Sequence, residues 1–230
     1  MLKNAANRPI YDITPFTTLD FPNHLSCIVW LCGCNMRCAY CYNSDIVLQN
    51  GNKTIDELLE FLQKRAGLLD GVVLSGGECT IFRDITIICK KIKELGFKVK
   101  VDTNGSNPEV LDSLIKQNLI DYVALDFKAP KRVFKEITNS LFYEKTITSL
   151  ILLIKSGLNF EVRTTIHSDL LDEKAINEII DILYLNNYKG IYYLQNYLHL
   201  EKNLGNLIEQ TKPFDKNLLN NKIPIEFRNF

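Results

Sequence analysis

Five of the seven cysteines, Cys27, Cys32, Cys34, Cys38 and Cys41, fall within one short stretch of the chain. Clustered thiols in a reducing compartment point to a metal rather than to disulfides. Three of them form the run Cys34-x3-Cys38-x2-Cys41 on a single tight loop. Cysteine thiolates are the ligands of iron–sulfur clusters, and three thiolates cap three corners of a cubane. The fourth iron is left open, and an open coordination position is what distinguishes a catalytic metal site from a structural one. Structural zinc is the alternative. It takes four ligands, commonly as two C-x2-4-C pairs, and no second pair is present, although Cys32 or His24 could complete a set of four.

The elements that must position this loop are short apolar runs alternating with longer helix-like segments. A first strand is expected over 25–31, directly before the cysteines. Thr54 and Glu57 are spaced as a capping box ahead of IDELLEFLQKR. GVVL (71–74) reads as a buried strand ending in the turn Ser75-Gly76-Gly77. Asp84 is placed to cap a helix running through Leu95, with Gly96 in the position of a C′ glycine. Strands then follow at 97–102, 122–127, 159–166 and 191–195, and helices at 108–117, 146–155 (closed by Gly157) and 172–185. The tail beyond about 200 reads as irregular with a short helix. Six β→α units joined by helical crossovers imply an α/β fold, either an open doubly wound sheet or an incomplete barrel. In both, ligands bind beyond the carboxyl ends of the strands. No linker or composition shift divides the chain, so one domain is expected over 1–230, with the cluster loop at about 32–43.

Composition excludes some classes. The 230 residues are 46% hydrophobic and 23% charged, with 27 basic and 27 acidic side chains and a formal net charge of zero. That balance gives no electrostatic footprint for nucleic acid or for an anionic membrane. No apolar run approaches the ~20 residues of a membrane helix, and the N-terminus lacks the apolar core of a secretory signal. A cytoplasmic enzyme is the expectation.

The string C-G-C-N-M-R-C-A-Y-C-Y-N resembles the signature of the radical S-adenosylmethionine superfamily, C-x3-C-x2-C with an aromatic residue before the last cysteine. Further matches follow in family order, each at an expected strand end. Ser75-Gly76-Gly77-Glu78 resembles the G-G-E motif, Asp102-Thr103-Asn104-Gly105 and Asp126-Phe127-Lys128 resemble the D-T-N-G and D-x-K segments of glycyl-radical-enzyme activases, and Arg163 matches a strand-five arginine. The likeness is greatest to the activating proteins of anaerobic ribonucleoside-triphosphate reductase. It runs from Asp12-Ile13-Thr14-Pro15-Phe16 and T-L-D-F-P through YYLQ, to about residue 200. One departure is Cys79, which stands where the family's G-G-E-P-T has proline.

The resemblance implies a partial (β/α)6 TIM-like barrel of parallel strands with outer helices. It implies a [4Fe–4S] cluster on Cys34, Cys38 and Cys41, whose open iron is chelated by the amino and carboxylate groups of S-adenosylmethionine. Tyr40 would then lie near the adenine. Gly76, Gly77 and Glu78 would receive the methionine ammonium, and Asp102, Asn104, Lys128 and Arg163 would contact the cofactor. Gln195 and His199, in YLQNYLH, would add polar contacts, and Asp102 and Asp126 would hold a monovalent cation. One-electron reduction of the sulfonium would give methionine and a 5′-deoxyadenosyl radical, which takes a Cα hydrogen from a glycine of a partner enzyme. The partner implied is anaerobic ribonucleotide reductase, with a low-potential electron donor such as flavodoxin or ferredoxin. Two alternatives stand beside this. The 7-carboxy-7-deazaguanine synthases have similar length but typically carry tryptophan and aspartate where this chain has Tyr40 and Tyr42. A zinc-binding interaction module would use the thiols structurally.

Overall fold

The computed structural model describes residues 8–199 and 202–230. The chain is α/β, with its strands hydrogen-bonded in sequence order from β1 to β8 in an eight-stranded, mostly parallel sheet. Pairing of β1 (Ile10–Thr17) with β2 (Ser26–Leu31) is antiparallel, whereas β2 with β3 (Gly71–Gly76) and β3 with β4 (Lys98–Thr103) are parallel. Next in the chain is β5 (Tyr122–Asp126), followed by β6 (Phe160–Ile166), β7 (Tyr192–Asn196) and β8 (Ile225–Arg228). The pairs β6–β7 and β7–β8 are parallel. Helices α1 (Ser44–Leu48), α2 (Ile55–Gln63), α3 (Ile85–Glu94), α4 (Pro108–Lys116), α5 (Lys131–Thr138), α6 (Tyr143–Ser156) and α7 (Glu173–Leu185) supply the crossovers. The chain divides into two compact units.

The first unit comprises the described part of Met1–Asn35 together with Asp45–Thr103 and Glu109–Val123. Its parallel strands β2 and β3 are largely apolar on both faces, as parallel strands covered by helices must be, and β4 buries its valines. Val29, Val72, Val73, Leu74, Val99 and Val101 are all fully buried. Each such side chain contributes about 1.5–3 kcal/mol relative to exposure. Phe21, Ile28 and Val73 form a cluster on which Trp30 and Tyr122 pack. Thr54 makes the expected capping box: its hydroxyl accepts from Glu57 N at 3.1 Å, and Glu57 Oε2 accepts from Thr54 N at 2.6 Å. Asp84 sits at the start of α3 but its side chain makes no capping bond. The end of α3 is as expected, with Gly96 in the left-handed region at φ +89°.

The second unit comprises Met36–Ser44, Asn104–Pro108 and the described part of Ala124–Phe230. Its core includes Leu150 and Leu153 of α6, Val162 and Ile166 of β6, Ile176, Ile179, Ile180 and Leu183 of α7, and Leu194 of β7. Asp172 caps α7 by accepting from Ala175 N at 2.8 Å, and Gly157 ends α6 at φ +72°. Buried hydroxyls tie three strands together. Tyr192 Oη donates to Thr164 Oγ1 at 2.6 Å, and Thr164 Oγ1 donates to the Phe127 carbonyl at 2.6 Å. The Phe127 amide donates in turn to the Arg163 carbonyl at 2.8 Å. These bonds fix the backbone at the end of β5, one residue before Lys128.

Two strands lie outside the six expected. β1 is an antiparallel edge strand with little burial alternation, and β8 is four residues that include Glu226 and Arg228. The tail is therefore not simply irregular with a short helix. It holds a 3-10 turn at Lys216–Leu218 and then β8.

Candidate active site

In the first unit the carboxyl end of β3 is built against the base of the cysteine loop. Gly77 N donates to the Leu31 carbonyl at 2.9 Å and Glu78 N to the Gly33 carbonyl at 2.9 Å. Gly33, the residue before Cys34, is itself anchored by its amide to the Ile46 carbonyl at 2.9 Å. A Cβ on Gly77 would stand 1.7 Å from the Gly33 carbonyl oxygen, so no side chain fits there. Gly76 has φ +112°, and a Cβ there would meet the Leu31 carbonyl oxygen at 2.5 Å. Both glycines are therefore required by close backbone approach and, at Gly76, by conformation. Gly77→Ala is expected to displace the loop start and lower iron retention after anaerobic reconstitution, whereas Gly96→Ala, with nothing within 4 Å of the added carbon, should retain iron fully. Equal iron content in the two variants would contradict this.

Glu78 is buried at 1% exposure. Its Oε1 accepts from Thr80 N at 3.0 Å, from Thr80 Oγ1 and from Thr103 Oγ1 at 2.7 Å. Those bonds hold the carboxylate at the end of β3, where it also caps the 3-10 turn Cys79–Ile81. Asp102, near the end of β4, accepts from Lys100 Nζ at 2.6 Å on one oxygen and from Ser75 Oγ at 3.0 Å on the other. Cys79 is fully buried and its thiol donates to the Asp102 carbonyl at 3.3 Å.

In the second unit the rest of the cysteine loop is held by main-chain bonds. Arg37 N and Ala39 N donate to the carbonyls of Thr138 and Ile137 at 2.8 and 2.9 Å, and Cys41 N closes a turn onto the Cys38 carbonyl at 3.0 Å. Leu204 N donates to the Cys41 carbonyl at 2.8 Å, so part of the tail braces the loop. Tyr40 is buried, its hydroxyl donating to the Lys128 carbonyl at 3.3 Å, and burial pushes its phenol well up. Asn104 is buried in an Asx turn, accepting from Ser106 N at 2.9 Å, while its carbonyl accepts from Thr146 Oγ1 at 3.0 Å. Gln195 is half-buried on β7, and His199 is exposed beyond it.

A chain of alternating charge crosses the same unit. Asp126 bonds Lys128 Nζ at 3.0 Å and Arg163 Nε at 2.8 Å. Glu161, two residues from Arg163 on β6, lies 3.8 Å from the Arg163 guanidinium and 3.4 Å from that of Arg228 on β8. Burial alone would raise the Asp126 carboxyl, but Arg163 and then Lys128 outweigh it and hold the group well below the usual carboxylate range. Burial opposes the Lys128 charge, yet Asp126 foremost holds its ammonium well above its ordinary value. Lys128, Arg163 and Arg228 thus alternate with Asp126 and Glu161 along this network.

The thiols divide by environment. Burial pushes Cys27 and Cys89 up to about 12 and Cys79 well up. A metal ligand must be a thiolate, so these three are poor donors. Cys34 and Cys41 are half-exposed on the loop, and Cys38, though buried, sits on the same loop. None of the seven cysteines is in a disulfide. Among the described residues no three His, Cys, Asp or Glu side chains gather as tightly as a single metal ion needs. A cubane has no such requirement, because each thiolate binds a separate iron. A three-thiol loop whose base is packed on a glycine turn fits that group. The residues fit a monovalent cation poorly, since Asp102 and Asp126 each already hold a basic side chain.

Sequence reading did not anticipate Lys100, Glu161 or Arg228, nor the bond from Ser75 to Asp102. For Lys100 and Glu161 the signal was present as spacing: K-V-D and E-V-R put each on the same strand face as a residue that was singled out, Asp102 and Arg163.

The chain belongs to the radical SAM superfamily, whose family model matches residues 28–183. Membership implies a [4Fe–4S] cluster and S-adenosylmethionine. Within the superfamily, the chain is 38% identical over 177 residues to a Methanocaldococcus jannaschii protein provisionally named as a glycyl-radical enzyme activating enzyme, covering 73% of this chain and 72% of that one. A pyruvate formate-lyase-activating enzyme from Clostridium pasteurianum is 33% identical over 52% of each chain. These relatives support an enzyme of the glycyl-radical activating kind. Among solved structures, Streptococcus suis SuiB bound to S-adenosylmethionine superposes with a TM-score of 0.64 at 16% identity, over 86% of this chain and 48% of that one. The anSMEcpe structure with bound AdoMet gives 0.58 at 20% identity, over 72% and 50%. The chain thus spans about half the length of these two structures, and the likeness establishes the fold, which is consistent with the partial barrel.

Proposed function

We propose that this chain is an activase that cleaves S-adenosylmethionine reductively and installs a glycyl radical on a partner enzyme, anaerobic ribonucleotide reductase. The reading rests on the 38% identity to the Methanocaldococcus jannaschii protein provisionally named as a glycyl-radical enzyme activating enzyme, maintained over 73% of the chain. The choice of partner rests on the resemblance running from Asp12 through Gln195. A [4Fe–4S] cluster with one open iron, together with S-adenosylmethionine, supplies a 5′-deoxyadenosyl radical when both are bound.

The chain's own residues bind, orient and exclude water. Cys34, Cys38 and Cys41 hold the cluster. In the first unit Gly76 and Gly77 offer backbone carbonyls to the methionine ammonium, and Glu78 offers its carboxylate. Asp102 contributes a second fixed acceptor. In the second unit Lys128 and Arg163 suit the methionine carboxylate, because both are cationic and a guanidinium matches a carboxylate in geometry. Tyr40, Asn104, Gln195 and His199 serve the nucleoside. Electrons come from a low-potential donor such as flavodoxin or ferredoxin, in the cytoplasm. Among the described residues no helix is long and apolar enough to cross a membrane.

Mixing the anaerobically reconstituted protein with the reductase, cofactor and reductant should produce the electron paramagnetic resonance doublet of a glycyl radical. Cofactor cleavage without a doublet on that partner would overturn the partner assignment and leave the activase reading to other glycyl radical enzymes.

A further inference from the structure

A lysine lies inside the core of the first unit. Lys100 is in the middle of β4 between Val99 and Val101, both fully buried, and its own side chain is only 2% exposed. Lysines are almost never buried to this degree unless paired, and the ammonium here lies 2.6 Å from Asp102 Oδ1. The pairing follows from strand geometry, since residues two apart project from one face. The Tyr122 ring, 6.0 Å from Nζ, adds a second favourable neighbour for the charge. Asp102 is held on its other side by Ser75 Oγ, and its carbonyl by Cys79.

Such a pair is a poor device for stability alone. Desolvating two ions offsets most of their attraction, and apolar replacements of similar volume are often as stable or more so. Its place in the buried middle of β4 leaves room for another role. A metal cation on Asp102 would also have to share one carboxylate with a buried ammonium, where like charges repel with little screening.

We propose that Lys100 is a positioning residue that serves as the built-in counter-ion of Asp102, so that this chain binds its cofactor without a monovalent metal cation. The proposal rests on the reading of Asp102 as a cofactor contact. Lys100 neutralises and aims the carboxylate while making no contact with the cofactor itself.

The test measures S-adenosylmethionine affinity of the reconstituted protein by equilibrium dialysis, in buffers whose cation is potassium, sodium or choline. The wild-type protein should bind equally in all three, and a requirement for potassium or sodium would overturn the proposal without any variant being made. Lys100→Met should bind about tenfold more weakly in choline, the range seen when a residue supporting a ligand is removed. Potassium or sodium should restore part of that loss, whereas Lys100→Arg should bind as wild type in choline. Restoration by a small cation is a response that a merely structural defect would not give. Should Lys100→Met fail to fold, the Lys100→Met/Asp102→Asn double variant removes both charges, and it should bind weakly with no response to cations; a potassium response in it would overturn the proposal. If Asp102→Asn alone leaves affinity unchanged, the cofactor role of Asp102 fails. If Asp102→Asn weakens binding while Lys100→Met in choline does not, only the role of Lys100 fails.

Discussion

Replacing Cys34, Cys38 or Cys41 singly by serine should abolish retention of the full iron and sulfide complement, while Cys89→Ala retains it. The reason lies in the state of each thiol. Cys89 is fully buried in α3 with its thiol pushed up to about 12, so it is neutral and its loss removes only packing. The loop cysteines sit on backbone fixed from both sides, through Gly33 to Ile46 and through Arg37 and Ala39 to Thr138 and Ile137. A serine there should leave the fold standing, with a stability change within about ±0.5 kcal/mol at the half-exposed Cys34 and Cys41. Loss of iron with an unchanged melting temperature in the cluster-free protein is the expected pair of results. Full iron content in any one of the three variants would remove that residue from the ligand set.

Asp126→Asn should be strongly destabilising. It leaves Lys128 and Arg163 without their shared carboxylate, with side chains only 18% and 15% exposed. Removing one partner of a buried ion pair costs roughly 3–5 kcal/mol, and the partial exposure of this network places the loss near the lower end. For a chain of this size that is a fall in melting temperature of roughly 6–12 °C. The pH dependence has a definite sign. The folded-state carboxyl is depressed below its ordinary value of 3.8, so its contribution is fully present above about pH 5 and is lost as pH falls further. Melting curves of wild type and Asp126→Asn should stay a constant distance apart from neutral pH down to about pH 5 and converge in stronger acid. Identical melting at neutral pH would show that the network carries no net stabilisation.

Much of this arrangement was legible as pattern. The runs VVL and VAL announced strands because strands buried on both faces are apolar throughout, and KVKV did so by its alternation. Thr54 with Glu57, Gly96 and Gly157 marked helix ends through specific cap chemistry. The glycine pair Gly76-Gly77 was legible as a site of close approach, though its partner, the backbone of Leu31 and Gly33, was not. Missed features depended on neighbours that sequence separation hides. β1 and β8 exist through pairing with β2 and β7 rather than through their own composition. Arg228 reaches Glu161 from 67 residues away. Lys100 sits in the strand run KVKV, and the burial of its side chain against Asp102 comes from packing that the run does not announce. Asp84 had the right type and position for a cap, yet its side chain does not make the bond.

On the proposed function, this chain cleaves S-adenosylmethionine reductively at a cluster held by Cys34, Cys38 and Cys41. Its most direct test is to quantify 5′-deoxyadenosine and methionine after adding reductant and cofactor to the reconstituted protein under anaerobic conditions. The two products should form in equal amounts in the wild-type protein and be absent from the three cysteine variants. Recovery of intact cofactor from wild-type protein, with the cluster demonstrably reduced, would contradict the account.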